Sequence, residues 1–150
     1  MIRLGDIEDA FQVYQSIPEF QGRLCIEEFQ QRVGNTYLAL IYETGGADVA
    51  FKLGYPLGTR VFYSWLGGVL QGYRGQGIAE KLLKFQEVQV IKSGCTRLEV
   101  KSKNRFPAMM CLLLKNDYMI NGLTINEVSL DTTIHFYKSL TTYSPSTIHI

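Results

Sequence analysis

The sequence predicts a single α/β domain over residues 1–150, built on a mixed, mostly antiparallel sheet with helices on both faces. Three observations lead there. Apolar positions at helical spacing mark the first 33 residues. Three strand-like segments follow between residues 37 and 70, joined by short turns that suit antiparallel neighbours. A glycine-bearing loop then opens an amphipathic helix that leads to a further strand, and a strand–helix–strand crossover requires a parallel pair.

Each element has its own signal. Asp6 is a candidate N-cap before Ile7, Ala10, Phe11, Val13, Tyr14 and Ile17, and Pro18 closes that helix. Cys25, Ile26, Phe29 and Val33 mark a second, short helix that Gly34-Asn35 stops. Tyr37 to Tyr42 is a continuous apolar run, as in a buried strand, and Val49 to Leu53 returns after the turn at Thr44–Asp48. Pro56 and Gly58 mark a further turn. A long strand follows from about Arg60 to Leu70, with Gly67-Gly68 inside it as the sign of a bulge or a close backbone approach. Ile78, Leu82, Phe85, Gln86 and Val90 trace one face of a helix that ends at Ser93-Gly94. Arg97 to Val100 reads as a short strand, and a helix begins near Pro107 with Met109, Met110, Leu112 and Leu113. Tyr118–Ile120 and Ile134–Tyr137 supply closing strands.

Composition narrows the function classes. With 15 basic and 14 acidic residues the formal charge is +1, which gives no electrostatic reason to expect nucleic acid or an anionic membrane as partner. The apolar runs are too short to span a bilayer, and the first residues lack an apolar signal core, so a cytoplasmic location is expected. Cys25, Cys95 and Cys111 are odd in number, widely spaced and without a CxxC pair; they read as buried structural thiols. His135 and His149 have no metal-ligand spacing, so no metal is expected. Sheet edges and exposed aromatics leave room for a homodimer.

The chemistry concentrates at Gln71-Gly72-Tyr73-Arg74-Gly75-Gln76-Gly77, between a strand and a helix. A helix start leaves backbone N–H groups unpaired and partially positive, which favours an anion. Glycines let the backbone approach a phosphate, and Arg74 could add a charge-assisted contact. The Walker pattern fails because Ile78-Ala79 follows Gly77, where a lysine and a hydroxyl are needed. The dinucleotide pattern GxGxxG fails at Glu80. A tight strand-to-helix turn with no ligand is the plain alternative.

The segment resembles motif A of the GNAT superfamily of N-acetyltransferases, Gln/Arg-x-x-Gly-x-Gly/Ala, with Arg74, Gly77 and Ala79 filling the pattern. The resemblance spans roughly residues 1–125, with its specific part at about 60–120. It implies a pyrophosphate of acetyl-CoA held by amides from Gln71 to Ala79, among them Gly75, Gln76 and Ile78. It further implies a splay between the family's fourth and fifth strands, here those ending near Leu70 and Val100, to receive the pantetheine arm. Gly67-Gly68 would be the bulge, Val69 backbone would polarise the thioester carbonyl, and Asn104 would bond the pantetheine amides. The implied activity is acetyl transfer to a primary amine of a small molecule or peptide, by direct attack in a ternary complex. A non-catalytic acyl-CoA-binding module with the same fold is the alternative.

The catalytic residues are less well marked. The family pattern Asn-x-x-Ala-x-x-x-Leu-Tyr places a tyrosine acid in the helix after the fifth strand; counting from Asn104 reaches Cys111, and counting back from Asp117-Tyr118 reaches Leu113. Cys111, expected to be buried and inert, is a weak candidate acid, and Tyr118 is a second candidate with packing as its plainer role. Ser64 could orient a water or an amine beside the bulge. Glu99, the only carboxylate on the adjoining strand, is the candidate base, with simple surface exposure as its alternative. Lys101 and Lys103 either meet acetyl-CoA phosphates or flank a solvated loop.

Overall fold

A computed structural model describes residues 1–140. The chain runs β1 (Ile2–Gly5), α1 (Ile7–Gln15), a 3₁₀ turn (Pro18–Phe20), α2 (Ile26–Val33), β2 (Leu38–Thr44), β3 (Ala47–Pro56) and β4 (Val61–Val69). A second 3₁₀ turn (Gln71–Tyr73) leads to α3 (Ile78–Lys92), β5 (Arg97–Lys103), α4 (Pro107–Lys115), β6 (Met119–Ile125) and β7 (Thr132–Ser139). The seven strands form one sheet in the order β1-β2-β3-β4-β5-β7-β6. Every neighbouring pair is antiparallel except β4 with β5, the pair that the α3 crossover joins.

Helices cover both faces. On the front, Ala10, Val13 and Tyr14 of α1 and Phe29 and Val33 of α2 pack on Ala39, Ile41, Phe51 and Leu53. On the back, Leu83 and Val90 of α3 and Leu113 of α4 pack on Phe62, Leu98, Val100 and Phe136. Local chemistry explains the boundaries. Asp6 accepts from Asp9 N at 2.9 Å while Asp9 Oδ2 accepts from Asp6 N at 3.1 Å, a capping box that starts α1. Gly34, at φ 66°, ends α2. Gly45 and Gly46, at φ 58° and 78°, form the two-residue hairpin turn between β2 and β3, whose twist needs two left-handed residues.

The structure corrects three expectations. β1 was not expected: it is four residues long, and its Arg3 guanidinium is held by Asp9, Glu43 and Asp48 at 2.7–3.2 Å. The β4 bulge lies at Trp65, not at Gly67-Gly68. Leu53 pairs with Leu66 and Gly54 with Ser64, so Trp65 is the extra residue. The bulge turns Trp65 and Leu66 both toward the front core. Gly68 is instead a close approach, since a Cβ there would lie 2.6 Å from Ile17 Cδ1 and 3.1 Å from Phe20 Cε2. Third, of the thiols read as buried only Cys95 is so; Cys25 and Cys111 are exposed.

Candidate active site

The parallel ladder is short. It runs from Val61↔Arg97 to Ser64↔Val100 and stops, while β4 continues to Val69 and β5 to Lys103. Beyond Ser64 the two strands splay, and the edge of β4 from Trp65 to Val69 faces no partner strand among the described residues. Leu70 N bonds Val49 O at 2.8 Å, so alternation turns Gly68 toward β3 and sends the N–H and C=O of Gly67 and Val69 toward the splay.

At the far end of this edge lies the start of α3. Its N-cap, Gly77, is left-handed at φ 79°, and no side chain caps the first turn. α1 and α2 are both closed by capping boxes; α3 is open. Glu80, which could fold back to close it, instead accepts from Asn116 Nδ2 at 3.0 Å and pairs with Lys115 at 3.3 Å, contacts that hold its carboxyl below the usual range. The N–H groups at the head of α3 are therefore left for an anion. Gly75, at φ 76°, is a second left-handed position in the loop, and an added Cβ at Gly72, Gly75 or Gly77 would meet nothing within 4 Å. The free backbone suits a phosphate cradle.

Arg74 does not simply point at that cradle. Its Nη1 and Nη2 bond the two carboxylate oxygens of Glu19 at 2.8 and 2.9 Å, and its Nε bonds Val69 O at 3.0 Å. The guanidinium thus fastens the loop to the end of β4 and to the 3₁₀ turn after α1. The hydrogen bonds to Arg74 hold the Glu19 carboxyl below its ordinary value.

The four candidate catalytic residues do not form one cluster. Ser64 and Glu99 both sit at the base of the splay, but on opposite faces: Ser64 alternates with Tyr63, and Tyr63 is the register partner of Glu99. Ser64 Oγ is buried without a hydrogen-bond partner, as is Ser102 Oγ on the free stretch of β5. Glu99 accepts from Arg97 Nε at 3.0 Å and stays partly exposed. Cys111 lies exposed on α4. Tyr118 is buried on the back and donates to Glu87 Oε2 at 2.7 Å; burial and the Glu87 charge push its phenol far above its ordinary value. Tyr118 is a packing residue with a satisfied hydroxyl. Asn104 is exposed just past β5, and its N–H bonds Thr132 O.

On the front, the splay opens beside an aromatic floor. Tyr55 contacts Tyr63 and Trp65 with ring centroids 5.6 and 6.2 Å apart. The Arg32 guanidinium lies 5.1 Å over Trp65 and donates to Tyr55 Oη at 2.7 Å, and Lys101 Nζ lies 5.5 Å over Tyr63. Lys103 reaches Asp131 at 3.8 Å rather than the loop of α3.

On the back, Lys52 was missed by sequence reasoning: a lone lysine in a hairpin strand gives no signal, and only the register shows that it faces inward. It is 6% exposed, with Gln86 of α3 fully buried and unpartnered on the same face. Glu87 was missed for the same reason, since nothing in the α3 sequence distinguishes it from the solvated charges on that helix. No group of three His, Cys, Asp or Glu able to hold a metal occurs among the described residues, and His149 lies outside them. No described helix is long and apolar enough to cross a membrane.

No family model and no curated protein matches the sequence. Solved structures do match the arrangement of strands, splay and helices. The ribosomal-protein-S18-alanine N-acetyltransferase from Escherichia coli superposes with a TM-score of 0.80 at 15% identity, covering 100% of both chains. The fold is that of the GNAT N-acetyltransferases. An aminoglycoside 6'-N-acetyltransferase complexed with coenzyme A is similar at a TM-score of 0.78 and 14% identity, over 96% of this chain and 99% of the other. A GNAT family acetyltransferase from Elizabethkingia anophelis with acetyl-CoA bound gives 0.76 at 13%, over 93% and 97%. In this GNAT fold, β4 and β5 are the strands that part, as the motif implied.

Proposed function

We propose that the chain is an acetyl-CoA-dependent N-acetyltransferase that acetylates a primary amine of a small molecule or peptide. The observation that carries this reading is the continuity of an uncapped helix start with an unpaired strand edge. The amides at the head of α3 suit the pyrophosphate, and the N–H and C=O of Gly67 with the N–H of Val69 suit the amide-bearing pantetheine arm. The orphaned hydroxyls of Ser64 and Ser102 are further polar partners for a ligand in the splay. Acetyl-CoA then brings the acyl carbon to the base of the splay, where N–H groups aimed from β4 would stabilise oxyanion charge. The amine enters from the front, across the Tyr55, Tyr63 and Trp65 floor, and attacks directly while both substrates are held. Glu99, on that front, is the carboxylate placed to relay the proton of the amine through water.

A second reading, an acyl-CoA-binding module without turnover, is favoured by one observation: α4 carries no tyrosine, and Tyr118 is bound to Glu87. Titration calorimetry with acetyl-CoA and with ATP tests the shared basis of both readings. Acetyl-CoA is expected to bind and ATP not to, and Gly77→Val, which covers the first-turn amides, to abolish binding. Equal binding of ATP, or unchanged affinity in that variant, contradicts the cradle.

A further inference from the structure

A lysine buried to 6% exposure, with no carboxylate within ion-pair distance among the described residues, carries an uncompensated desolvation cost. Lys52 is such a lysine. Its neighbours Phe51 and Leu53 face the front core, so its own side chain leaves β3 toward the back. Directly opposite in register is Gly67. A Cβ built on Gly67 would lie 3.5 Å from Lys52 Cγ and 3.6 Å from its Nζ. Both ends of the lysine chain therefore lie over one β4 residue. Gly67 borders the splay with its other edge, so the lysine chain lies against the residue that separates it from the splay.

We propose that Lys52 is the proton donor to the departing thiolate, reaching the splay from β3 across Gly67. This rests on the acyl-transfer reading above. In the step, the acceptor nitrogen bonds to the acetyl carbon and the carbon–sulfur bond breaks. The sulfur keeps that electron pair and takes a proton from Lys52 Nζ. The proton lost by the amine passes to solvent, and neutral Lys52 is reprotonated from solvent before the next turnover.

The surroundings suit the role. Burial pushes the Lys52 ammonium down to about 8, partly countered by the charge of Glu87 on α3. An acid in that range is matched to a thiol, whose ordinary value is about 8.5. Other groups on this face include the uncharged Gln86 of α3, Ser64 of β4 and Ser102 of β5, and Leu40 of β2, a register partner of Lys52. Glu87 is shared with Tyr118 Oη at 2.7 Å and Lys138 Nζ at 3.2 Å, so it is not free to neutralise Lys52 alone. Lysine from the third strand thereby stands in for the tyrosine that α4 lacks.

Lys52→Met keeps the volume and removes the charge, and its folding is checked by thermal melting. Calorimetry compares CoA with desulfo-CoA in both proteins. The wild type is expected to favour CoA about tenfold at pH 8, through the thiolate–ammonium pair, and the variant to bind both alike. Turnover with a saturating amine should fall on the order of 10²-fold in the variant with KM for acetyl-CoA unchanged. The wild type is expected to lose kcat above pH 8, and Lys52→Met to show no such alkaline limb. Equal binding of CoA and desulfo-CoA by the wild type, or an alkaline limb retained in Lys52→Met, overturns the Lys52 assignment alone. Failure of the wild type to bind CoA at all overturns the acyl-transfer reading and this assignment together.

Discussion

The guanidinium of Arg74 grips both carboxylate oxygens of Glu19, at 2.8 and 2.9 Å, across 55 positions of sequence. With the third bond from Arg74 Nε to Val69 O, this fork ties together the phosphate-type loop, the free end of β4 and the 3₁₀ turn that follows α1. Two parallel N–H···O bonds fix orientation as well as distance. Both side chains are about 40% exposed, so the pair adds only about 0–1 kcal/mol to stability. Under the proposed function, its value would be in holding the loop in shape for a phosphate. Glu19→Gln is expected to leave the melting temperature nearly unchanged while weakening acetyl-CoA several-fold by calorimetry. Unchanged affinity would mean that the fork is ornamental.

Lys52 gives a stability prediction independent of any ligand. Its value is lowered from 10.5 to about 8 in the folded protein. Between those two limits the unfolded chain binds more protons than the folded one, so wild-type stability rises with pH across that window. Below pH 8 both states are protonated, and the folded protein carries the full penalty of the buried charge. The shift corresponds to about 3 kcal/mol. Lys52→Met should therefore be the more stable protein at pH 7, with the gap closing toward pH 10.5. Denaturant titrations of both proteins at pH 7 and pH 10 measure it, and a constant gap contradicts a depressed Lys52.

Tyr118 makes the opposite kind of test. Its hydroxyl donates to Glu87 on the back of the sheet, and its phenol is held far above the usual range, a poor acid at neutral pH. Tyr118→Phe should cost about 1.5–3 kcal/mol of stability from the lost bond to a charged group and leave kcat within a factor of about two. A fall in kcat of a hundredfold, with the fold intact, would return Tyr118 to the list of acids.

The thiols answer a simpler question. Cys25 and Cys111 are exposed and Cys95 is buried, so a thiol reagent should titrate two groups quickly in the native protein and the third on unfolding. Cys111→Ala should retain most turnover. Protection of Cys111 in the native protein would contradict its placement on α4.

What was legible in the sequence follows from how far each signal reaches. Capping at Asp6, the stop at Gly34 and the helix after Gly77 are local signals, and each matches the structure. The antiparallel run and the single parallel pair also followed from element order. Register did not. The bulge at Trp65 depends on which residue of β3 opposes it, and a pair of glycines two places on was the more visible cue. Gly68 matters instead for letting Ile17 near, while Gly67 lies against Lys52 on the other face. The partner of Arg74 lies 55 residues away, so its engagement with Glu19 was invisible to local reading. Lys52, Ser64 and Tyr118 likewise acquire their settings only from neighbours supplied by distant strands and helices. β1 escaped because four residues offer too little periodicity.

The proposed activity is acetyl transfer by a chain whose fold joins an open helix start to a free strand edge. Its most direct test is release of the CoA thiol from acetyl-CoA, followed with and without a panel of amines that includes a polyamine, an aminoglycoside and a peptide with a free N-terminus. At least one amine should accelerate thiol release above the hydrolytic background, with the acetylated amine formed in equal amount by mass spectrometry. Tight acetyl-CoA binding with no amine-dependent release across the panel would contradict the enzyme and leave the binding module.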